Sequence, residues 1–527
     1  MQVERVDFLS YHAKSAAGQI AMADLETGRA FTYRELDDRV SRIANFLRHR
    51  FQVARGDRVA VLSHNSSDIC EIQFACWRLG AVFVPVNWRL TVPELEFILG
   101  DANPRVLFGD MAFSKTLTAL TSAIPGLHLI TRGQENSDYE RLLQDSAPTS
   151  STEQVTLTDT ASLIYTSGTT GRPKGAMISH QMELFTCLNY VGATGISSKS
   201  KTLVVLPQFH VGGLNCFPNP IFYLGGTVLV MKAFNPKQFL QLLSDPIQGI
   251  THVFAVPTIY ALMSQEAEFR TAKFDHLVCA AVGGAAVPLS LLKVLEEQGI
   301  PIQQGWGMTE STSMGSMLPP DQTRTKLGSA GLPVPHVRLR IASEDGRVLP
   351  PGEVGELQVR GPSITSGYWN RPEAREKRYI DGWFRTGDAA YLDEDGYLFI
   401  VDRWTDMYIS GGENVYPAEV ENVLSGIAGI AEVAVIGIPD ERWGQVGRAF
   451  IVLRPRAELS VDDIRAHCTR CLAKYKIPHE FIFTDSIPHN AAGKILKAAL
   501  TREPICPSYG IATCGDGVPQ PDQLSSR

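Results

Sequence analysis

Apolar and polar positions alternate in two different rhythms along the first part of the chain. Arg58–Leu62 and Val82–Pro85 have the apolar composition of buried strands, whereas Ser67–Leu79 between them has the spacing of a helix. The same alternation returns after residue 200 and continues to a helix predicted from Pro288 to Gln298. Strands that alternate with helices predict mostly parallel sheets flanked by helices, so the expected fold class is α/β.

The pattern changes twice towards the C-terminus. From Lys326 to Tyr368 it becomes short strands and Gly/Pro turns, which predicts a small barrel. Near Arg403 a compact α+β unit of about one hundred residues begins, with a helix predicted at Val415–Leu424. We therefore expect an N-terminal domain over residues 1–402, a small mobile C-terminal domain over 403–500 and a disordered tail, rich in proline, over 501–527.

One segment combines glycines, hydroxyl groups and cations in a way that favours a polyphosphate ligand. Residues 165–180 read Tyr-Thr-Ser-Gly-Thr-Thr-Gly-Arg-Pro-Lys-Gly-Ala-Met-Ile-Ser-His and lie between two apolar strand ends. Glycines let backbone N–H groups converge on an anion, hydroxyl groups add donors and a lysine adds charge. The segment is not a Walker loop, because Lys174 is followed by Gly175. The candidate phosphate ligands are Thr166, Ser167, Gly168, Thr169, Thr170, Gly171 and Lys174.

This segment resembles the phosphate loop of the adenylate-forming enzymes, a superfamily that includes acyl-CoA synthetases, luciferases and the adenylation domains of peptide synthetases. Residues 166–175 match the family signature [Ser/Thr]-Ser-Gly-Thr-Thr-Gly-x-Pro-Lys-Gly at every defining position. Further motifs follow in the family's order, so the resemblance covers about residues 15–500. It implies ATP, Mg²⁺ and coenzyme A as cofactors and places the chain in the acyl-CoA or aryl-CoA ligase branch.

Three further segments resemble nucleotide-binding motifs of that family. Gly305-Trp306-Gly307-Met308-Thr309-Glu310 is similar to Tyr-Gly-x-Thr-Glu, whose Thr and Glu contact nucleotide phosphates and metal. Trp306 has the tyrosine position and is expected to stack on adenine, while Glu310 is a hard oxygen ligand suited to Mg²⁺. Asp388 resembles the aspartate that holds both ribose hydroxyls. The resemblance assigns the adenine-lining segment to Gly283, Gly284 and Ala285.

The C-terminal motifs imply a hinge and a catalytic cation. Arg403, in Asp402-Arg403-Trp404-Thr405-Asp406, resembles the hinge arginine that contacts ribose or α-phosphate, and Thr405 departs from the usual Asp or Lys. Lys494 resembles the family lysine that neutralises charge between the substrate carboxylate and the α-phosphate. The resemblance therefore implies the catalytic residues Lys494, Thr309, Glu310 and His210.

Other matches concern the thiol and the acid. The resemblance assigns the pantetheine tunnel to Gly411 and Gly412, and the acyl-pocket entrance to His210, on which Trp443 stacks after the small domain rotates. A core histidine paired with a carbonyl is the alternative for His210. The candidate pocket residues are His210, Val211, Gly212, Gly213, Met308, Ser313 and Met314. The glycines leave room for an aromatic or a medium-chain acid, and no cation is predicted for a second carboxylate.

The implied reaction is ATP-dependent ligation of a carboxylic acid to CoA through an acyl-adenylate. A free-standing adenylation enzyme that loads a carrier protein is the nearest alternative. An amino-acid substrate is disfavoured, because Phe209–Phe217 contains no carboxylate for an α-ammonium group. A luciferase-like oxygenase shares the adenylation step and stays open. A nucleotide-binding pseudoenzyme is disfavoured because the residues Lys174, Glu310, Asp388, Arg403 and Lys494 are all present.

Composition excludes several other classes. A net charge of −7 argues against a nucleic-acid partner, and no segment has the ~18 uninterrupted apolar residues of a membrane span. Nine scattered cysteines and an N-terminus without a signal pattern favour a cytoplasmic protein. We interpret Cys468 and Cys471 as helix packing rather than as zinc ligands. The expected partners are a small carboxylic acid and CoA, and a homodimer is considered.

Overall fold

The computed structural model describes residues 3–133, 137–148, 153–166, 173–404, 406–410, 413–489 and 495–500. These residues form two compact units that divide between Ile400 and Val401. The domain limits at residues 402 and 500 stay predictions, and the tail over 501–527 lies outside the described residues. No helix among the described residues is long and apolar enough to cross a bilayer.

The larger unit alternates strands and helices over most of its length. Its strands are β1 (Ile20–Asp24), β2 (Ala30–Thr32), β3 (Arg58–Leu62), β4 (Val82–Val86), β5 (Val106–Asp110), β6 (His128–Arg132), β7 (Thr160–Thr166), β8 (Lys174–Ser179), β9 (Lys201–Val204), β10 (Thr227–Val230), β11 (His252–Ala255), β12 (Cys279–Val282), β13 (Ile302–Trp306), β14 (Ser316–Met317), β15 (Leu332–Pro333), β16 (Arg338–Ala342), β17 (Gly355–Arg360), β18 (Tyr379–Ile380), β19 (Trp383–Leu392) and β20 (Leu398–Arg403), which crosses the division between the units. Its helices are α1 (Phe8–Ser15), α2 (Tyr33–His49), α3 (Ser67–Leu79), α4 (Val92–Ala102), α5 (Ser114–Ala123), α6 (Asp138–Asp145), α7 (His180–Thr194), α8 (Val211–Leu214), α9 (Pro218–Leu224), α10 (Pro236–Ser244), α11 (Pro257–Met263), α12 (Leu289–Glu297) and α13 (Pro372–Arg378).

Two large sheets in this unit are mostly parallel, which confirms the predicted α/β class. One has the order β6-β5-β3-β4-β7-β8, and the other β15-β14-β13-β12-β11-β9-β10-β1-β2. Antiparallel pairs occur at β7–β8, β1–β2, β13–β14 and β14–β15. Helix α3 contacts β4 of the first sheet and β1 of the second and is buried along its whole length. It can therefore carry apolar residues on every side.

The predicted barrel region forms a separate antiparallel sheet with the order β16-β17-β19-β18, in which β20 also pairs with β19. It extends well past Tyr368, where the Gly/Pro-rich pattern had suggested an end. Asp388 lies inside β19, at a point where the pairing with β17 shifts register. The positive φ of Gly387, 75°, accompanies this irregularity.

The smaller unit is an α+β arrangement, as expected. It contains β21 (Tyr408–Ser410), β22 (Glu413–Val415), β23 (Ile430–Asp440), β24 (Gly444–Leu453) and β25 (Glu480–Phe483) with α14 (Pro417–Ser425), α15 (Val461–Cys471) and α16 (Lys497–Leu500). On α15 the Cys468 side chain is buried and Cys471 is exposed, so only the first packs inside the unit. No cluster of three or more His, Cys, Asp or Glu in the described part of the chain could hold a metal ion.

Candidate active site

The predicted phosphate loop joins two antiparallel strands. Thr166 at the end of β7 pairs with Lys174 at the start of β8, and the Thr166 hydroxyl donates a 3.4 Å hydrogen bond to the Lys174 carbonyl. Residues 167–172 lie outside the described residues, and with them the predicted ligands Ser167, Gly168, Thr169, Thr170 and Gly171. The hairpin thus fixes the two ends of the loop.

Strand β8 brings the loop to a tyrosine that holds Glu310. Tyr368 forms an isolated bridge with Ala176, and its phenol donates a 2.5 Å hydrogen bond to Glu310 Oε1. The Lys174 ammonium nitrogen lies 6.0 Å from the centre of the Tyr368 ring. Burial and the neighbouring Glu310 raise the pKa of Tyr368, so its phenol stays protonated and acts as a donor. The structure therefore places the loop lysine and the predicted metal ligand next to the same tyrosine.

The surroundings of Glu310 fit a magnesium–phosphate ligand. The residue is 7% exposed, lies in a short 3₁₀ turn from Thr309 to Ser311, and accepts a 2.8 Å backbone hydrogen bond from Thr365 at its own carbonyl. No described cation forms an ion pair with its carboxylate, whose recorded donor is the neutral Tyr368 phenol. Mg²⁺ is typically bound by one or two carboxylates together with substrate phosphates and water. The position of the Glu310 carboxylate in a buried turn, without a described cation beside it, fits that role.

Sequence reasoning missed Tyr368. It lies in Gly367-Tyr368-Trp369, at the end of the region interpreted as short strands and Gly/Pro turns. A tyrosine next to a glycine carries no chemical signature by itself, and only the bridge to β8 shows that it reaches Glu310. Tyr368 could therefore be identified only from its tertiary contacts.

The predicted adenine and ribose residues meet at the edge of β13. Val282 of β12 pairs with Gln304 of β13, so Gly283, Gly284 and Ala285 leave the sheet beside Gly305 and Trp306. The indole N–H of Trp306 donates a 2.8 Å hydrogen bond to Asp388 Oδ2. Stacking of the indole on adenine stays a prediction.

The loop after Trp306 needs glycine at position 307. Thr312 and Ser313 have φ values of 52° and 88°, which turn the chain back on itself. A Cβ atom on Gly307 would lie 1.8 Å from the Ser313 carbonyl oxygen. The loop that carries Met308, Thr309 and Glu310 is therefore closed by a contact that only glycine permits.

His210 caps the N-terminus of the short helix α8. Its Nε2 is buried and has no hydrogen-bond partner among the described residues, which gives no support to a carbonyl-paired core histidine. Burial, with a contribution from Arg89, lowers the pKa of His210 to about 4, so the ring is neutral at pH 7. The Arg89 guanidinium lies 5.8 Å from the Phe209 ring, whose centre is 4.6 Å from that of His210. The sequence had placed no cation here.

Polar groups also lie behind the predicted pocket. The Tyr190 phenol is 3.3 Å from Ser313 Oγ, and its ring centre lies 5.3 Å from that of Phe217. Met314 is 2% exposed and packs in the core of the unit. Val211 and Gly212 lie in α8, and the residue after that helix, Asn215, donates a 2.6 Å hydrogen bond to the buried carboxyl of Glu183. The C-terminal end of α8 is therefore held by a buried carboxyl on α7.

The C-terminal candidates belong to the smaller unit or lie outside the described residues. The Arg403 backbone N–H donates a 2.6 Å hydrogen bond to its neighbour Asp402, whose other oxygen accepts from Ala418. Trp443 is 43% exposed, and the Arg442 guanidinium lies 5.0 Å from its ring. The roles of Lys494, Gly411 and Gly412, and the effect of Thr405, fall outside the described residues and stay predictions.

Comparisons with known proteins match two family models and several curated relatives. Residues 9–369 match the AMP-binding enzyme family, and residues 419–494 match the AMP-binding enzyme C-terminal domain. The chain is 41% identical over 479 residues to a feruloyl-CoA synthase of Amycolatopsis sp., covering 90% of this chain and 94% of that protein. It is 36% identical over 499 residues to an indoleacetate–CoA ligase of Aromatoleum aromaticum, covering 94% and 97%.

A solved structure gives the same result. The o-succinylbenzoate CoA synthetase of Bacillus subtilis, in complex with its acyl-adenylate intermediate, superposes with a TM-score of 0.86 at 33% identity. The match covers 96% of this chain and the whole of that one. Fold and motif order are thus shared over nearly the full length.

Proposed function

The chain belongs to the AMP-binding enzyme family, and from this membership we propose that it is an AMP-forming ligase that joins an aromatic carboxylic acid to CoA. The observation that carries the proposal is the arrangement of Lys174, Tyr368 and Glu310 at the base of the phosphate hairpin. A lysine and a free carboxylate so placed suit a triphosphate with its magnesium. The Trp306–Asp388 pair beside the predicted adenine segment supplies the nucleoside end.

The preference for an aromatic acid rests on the relatives and on the lining of the pocket. Two relatives are named for ferulate and indoleacetate, both planar ring acids. The candidate pocket residue Ser313 contacts the Tyr190 phenol, whose ring packs against the aromatic ring of Phe217. A medium-chain acid is the competing substrate, which the assay below distinguishes.

The chemistry has two displacements. A carboxylate oxygen of the acid attacks the α-phosphorus of ATP, the bond to the β-phosphate breaks, and pyrophosphate leaves. The CoA sulfur then attacks the acyl carbon, the thiol proton is released, and AMP leaves with the electrons of the broken C–O bond. The first barrier is mainly electrostatic, because an anion approaches a polyanion.

The residues divide this work between them. Lys174, the loop and Lys494 contribute positive charge and donors around the phosphates, and Asp388 holds the ribose. Glu310 would hold Mg²⁺, which supplies charge neutralisation at the phosphate oxygens. His210, neutral at pH 7, lines the entrance through which acid and thiol meet.

A substrate panel tests the proposal. Purified protein receives Mg²⁺, ATP and aromatic or medium-chain acids, with CoA or a phosphopantetheinyl carrier protein as acceptor, while pyrophosphate and thioester are measured. We expect pyrophosphate release and CoA thioesters that form fastest with aromatic acids. Product on the carrier protein alone would overturn the CoA assignment, and no pyrophosphate with any acid would overturn the ligase.

Lys494→Ala is the matching variant for the catalytic role. We expect adenylate formation to fall by about 10²–10³, whereas a supplied acyl-AMP is still converted to thioester. An equal fall in both half-reactions would contradict the assigned role.

The compartment and the assembly are proposals as well. Seven cysteines among the described residues are free thiols, which supports a reducing compartment such as the cytoplasm. A homodimer is tested by sedimentation of the purified chain.

A further inference from the structure

The hydrogen bond between Trp306 and Asp388 links two different sheets of the larger unit. Trp306 ends β13 of the nine-stranded sheet, and Asp388 lies within β19 of the barrel sheet. The indole nitrogen and Asp388 Oδ2 are 2.8 Å apart, and the residues are 8% and 4% exposed. Hydrogen bonds that involve a charged partner are stronger than neutral ones. The bond is therefore well suited to fix the orientation of the carboxylate.

Neighbouring groups hold Trp306 and the backbone of Asp388 in place. The Trp306 carbonyl accepts a 2.8 Å hydrogen bond from Gly315, and a Cβ atom at Gly315 would lie 2.3 Å from the indole Cζ3. The indole also packs with Phe384 and Leu398 in the barrel core. On the other side, the Asp388 backbone N–H donates a 3.0 Å hydrogen bond to the Thr386 hydroxyl. The indole therefore cannot turn without disturbing packed neighbours, and the backbone that carries Asp388 is held by its own hydrogen bond.

We propose that Trp306 is a positioning residue for nucleoside recognition: its indole N–H occupies Oδ2 of Asp388 and orients the carboxylate towards a vicinal diol. An indole N–H can only donate, so its role at the carboxylate is to fix the orientation of Oδ2 rather than to accept a hydrogen bond from a ligand hydroxyl. The edge of Trp306 thereby contributes to ribose binding independently of any stacking by its face. This inference rests on the proposed ribose role of Asp388.

Trp306→Phe tests the inference, because it removes the N–H and keeps an aromatic ring. The readout is kcat/KM for ATP, 2′-deoxy-ATP and 3′-deoxy-ATP in pyrophosphate release. We expect kcat/KM for ATP to fall about tenfold, mainly through KM. The deoxynucleotides lack one hydroxyl and should lose much less, so that the preference of the enzyme for ATP shrinks by nearly the same factor.

Two further variants separate orientation from packing. Trp383→Phe is the matched control, because Trp383 lies on the same strand and its ring contacts Arg340 at 4.5 Å rather than Asp388. It should leave the ATP preference unchanged. In an Asp388→Ala background, Trp306→Phe should add little further loss, because the two residues act through one contact.

These measurements distinguish an orienting role of Trp306 from a role in packing alone. Equal losses for ATP and both deoxynucleotides in Trp306→Phe, or additive losses in the double variant, would overturn the proposal, since both indicate packing alone. Calorimetric binding of AMP and 2′-deoxy-AMP gives the same ratio without an acid or a reaction. A protein that binds nucleotides with the predicted discrimination but releases no pyrophosphate would refute the ligase function and support the inference.

Discussion

Two buried glutamates of the larger unit each accept a 2.5 Å hydrogen bond from a tyrosine, yet their surroundings differ. Glu71 on α3 accepts from Tyr139 and also pairs with the Arg39 guanidinium at 3.0 Å. Glu310 accepts from Tyr368, and no described cation forms an ion pair with it. The first carboxylate belongs to a network of ion pairs with arginines of the protein. The second accepts its hydrogen bond from a neutral phenol, and no described arginine or lysine pairs with it.

The network around Glu71 serves the packing of α3 between the sheets. Asp68, one turn away and 2% exposed, pairs with Arg132 at 2.6 Å and with Arg29. Burial opposes ionisation of Asp68, but the two arginines outweigh it and lower its pKa. Arginines of the protein therefore pair with the structural carboxylates of α3, whereas the donor to Glu310 is a neutral phenol.

The largest expected effect is on folding stability and comes from removing the Asp68 charge from the network around Glu71. Asp68→Asn leaves the buried Arg132 with only part of its compensation and should lower the free energy of unfolding by about 3 kcal/mol or more. Guanidinium unfolding measures this loss. Turnover per folded molecule should stay close to that of the unmodified chain. A large loss of turnover with unchanged stability would show that Asp68 serves the reaction rather than the packing of α3.

Glu310→Gln should lower activity and leave stability nearly unchanged, which is the reverse of the result expected for Asp68→Asn. It removes the charge available to Mg²⁺ and should lower adenylate formation by about 10²–10³. The midpoint of unfolding should change little, because no described cation loses a partner. Pyrophosphate release measured as a function of Mg²⁺ concentration checks this, and a normal rate at saturating Mg²⁺ would show that Glu310 acts elsewhere.

The two tyrosines provide a sharper test, because the substitutions are chemically identical. Tyr368→Phe should reduce pyrophosphate release by about tenfold, since a hydrogen bond to a carboxylate contributes about 1.5–3 kcal/mol. Tyr139→Phe, the matched control, should lower stability and leave the Mg²⁺ dependence of the reaction unchanged. Equal kinetic effects of both variants would remove the distinction between the two glutamates.

The nucleotide side of this fold could be predicted from sequence further than the acyl side. Glu310 and Asp388 stand in local motifs, so their residue types and spacing were sufficient to propose them. Their aromatic donors come from β13 and from the chain after Thr365, distant in sequence, and no local pattern indicates such contacts. Strands β1 and β2, which precede the first predicted strand, were missed because a short edge pair has little periodicity.

Behind the acyl pocket the sequence was least informative. Val211 and Gly212, proposed as pocket residues beside His210, lie in α8, and Asn215 after that helix is bonded to Glu183 on α7. A glutamate in an amphipathic helix is ordinarily interpreted as solvent-exposed. Only the packed structure shows that it is 5% exposed and bonded to two asparagines.

Glu183 extends the comparison to a third buried glutamate and has the smallest expected effect. It accepts hydrogen bonds from Asn215 and Asn219 at 2.6 and 3.2 Å, and no described cation pairs with it. Burial raises its pKa to about 7, although the two amides oppose this shift. At low pH the residue is protonated in both folded and unfolded chains. As pH rises, the unfolded chain ionises first, so folding stability is lost progressively up to about pH 7.

Glu183→Gln should remove this pH dependence, because glutamine cannot ionise. Relative to the unmodified chain, the variant should gain on the order of 1–2 kcal/mol of stability between pH 5 and pH 8. Guanidinium unfolding at both pH values measures the difference. Glu297→Gln is the control, because Glu297 is an exposed acid at the end of α12. If Glu183→Gln instead lost stability relative to the unmodified chain as pH rose, Glu183 would be ionised in the folded chain. A neutral hydrogen-bond donor would then not be enough to distinguish the ligand-binding carboxylate of Glu310 from a structural one.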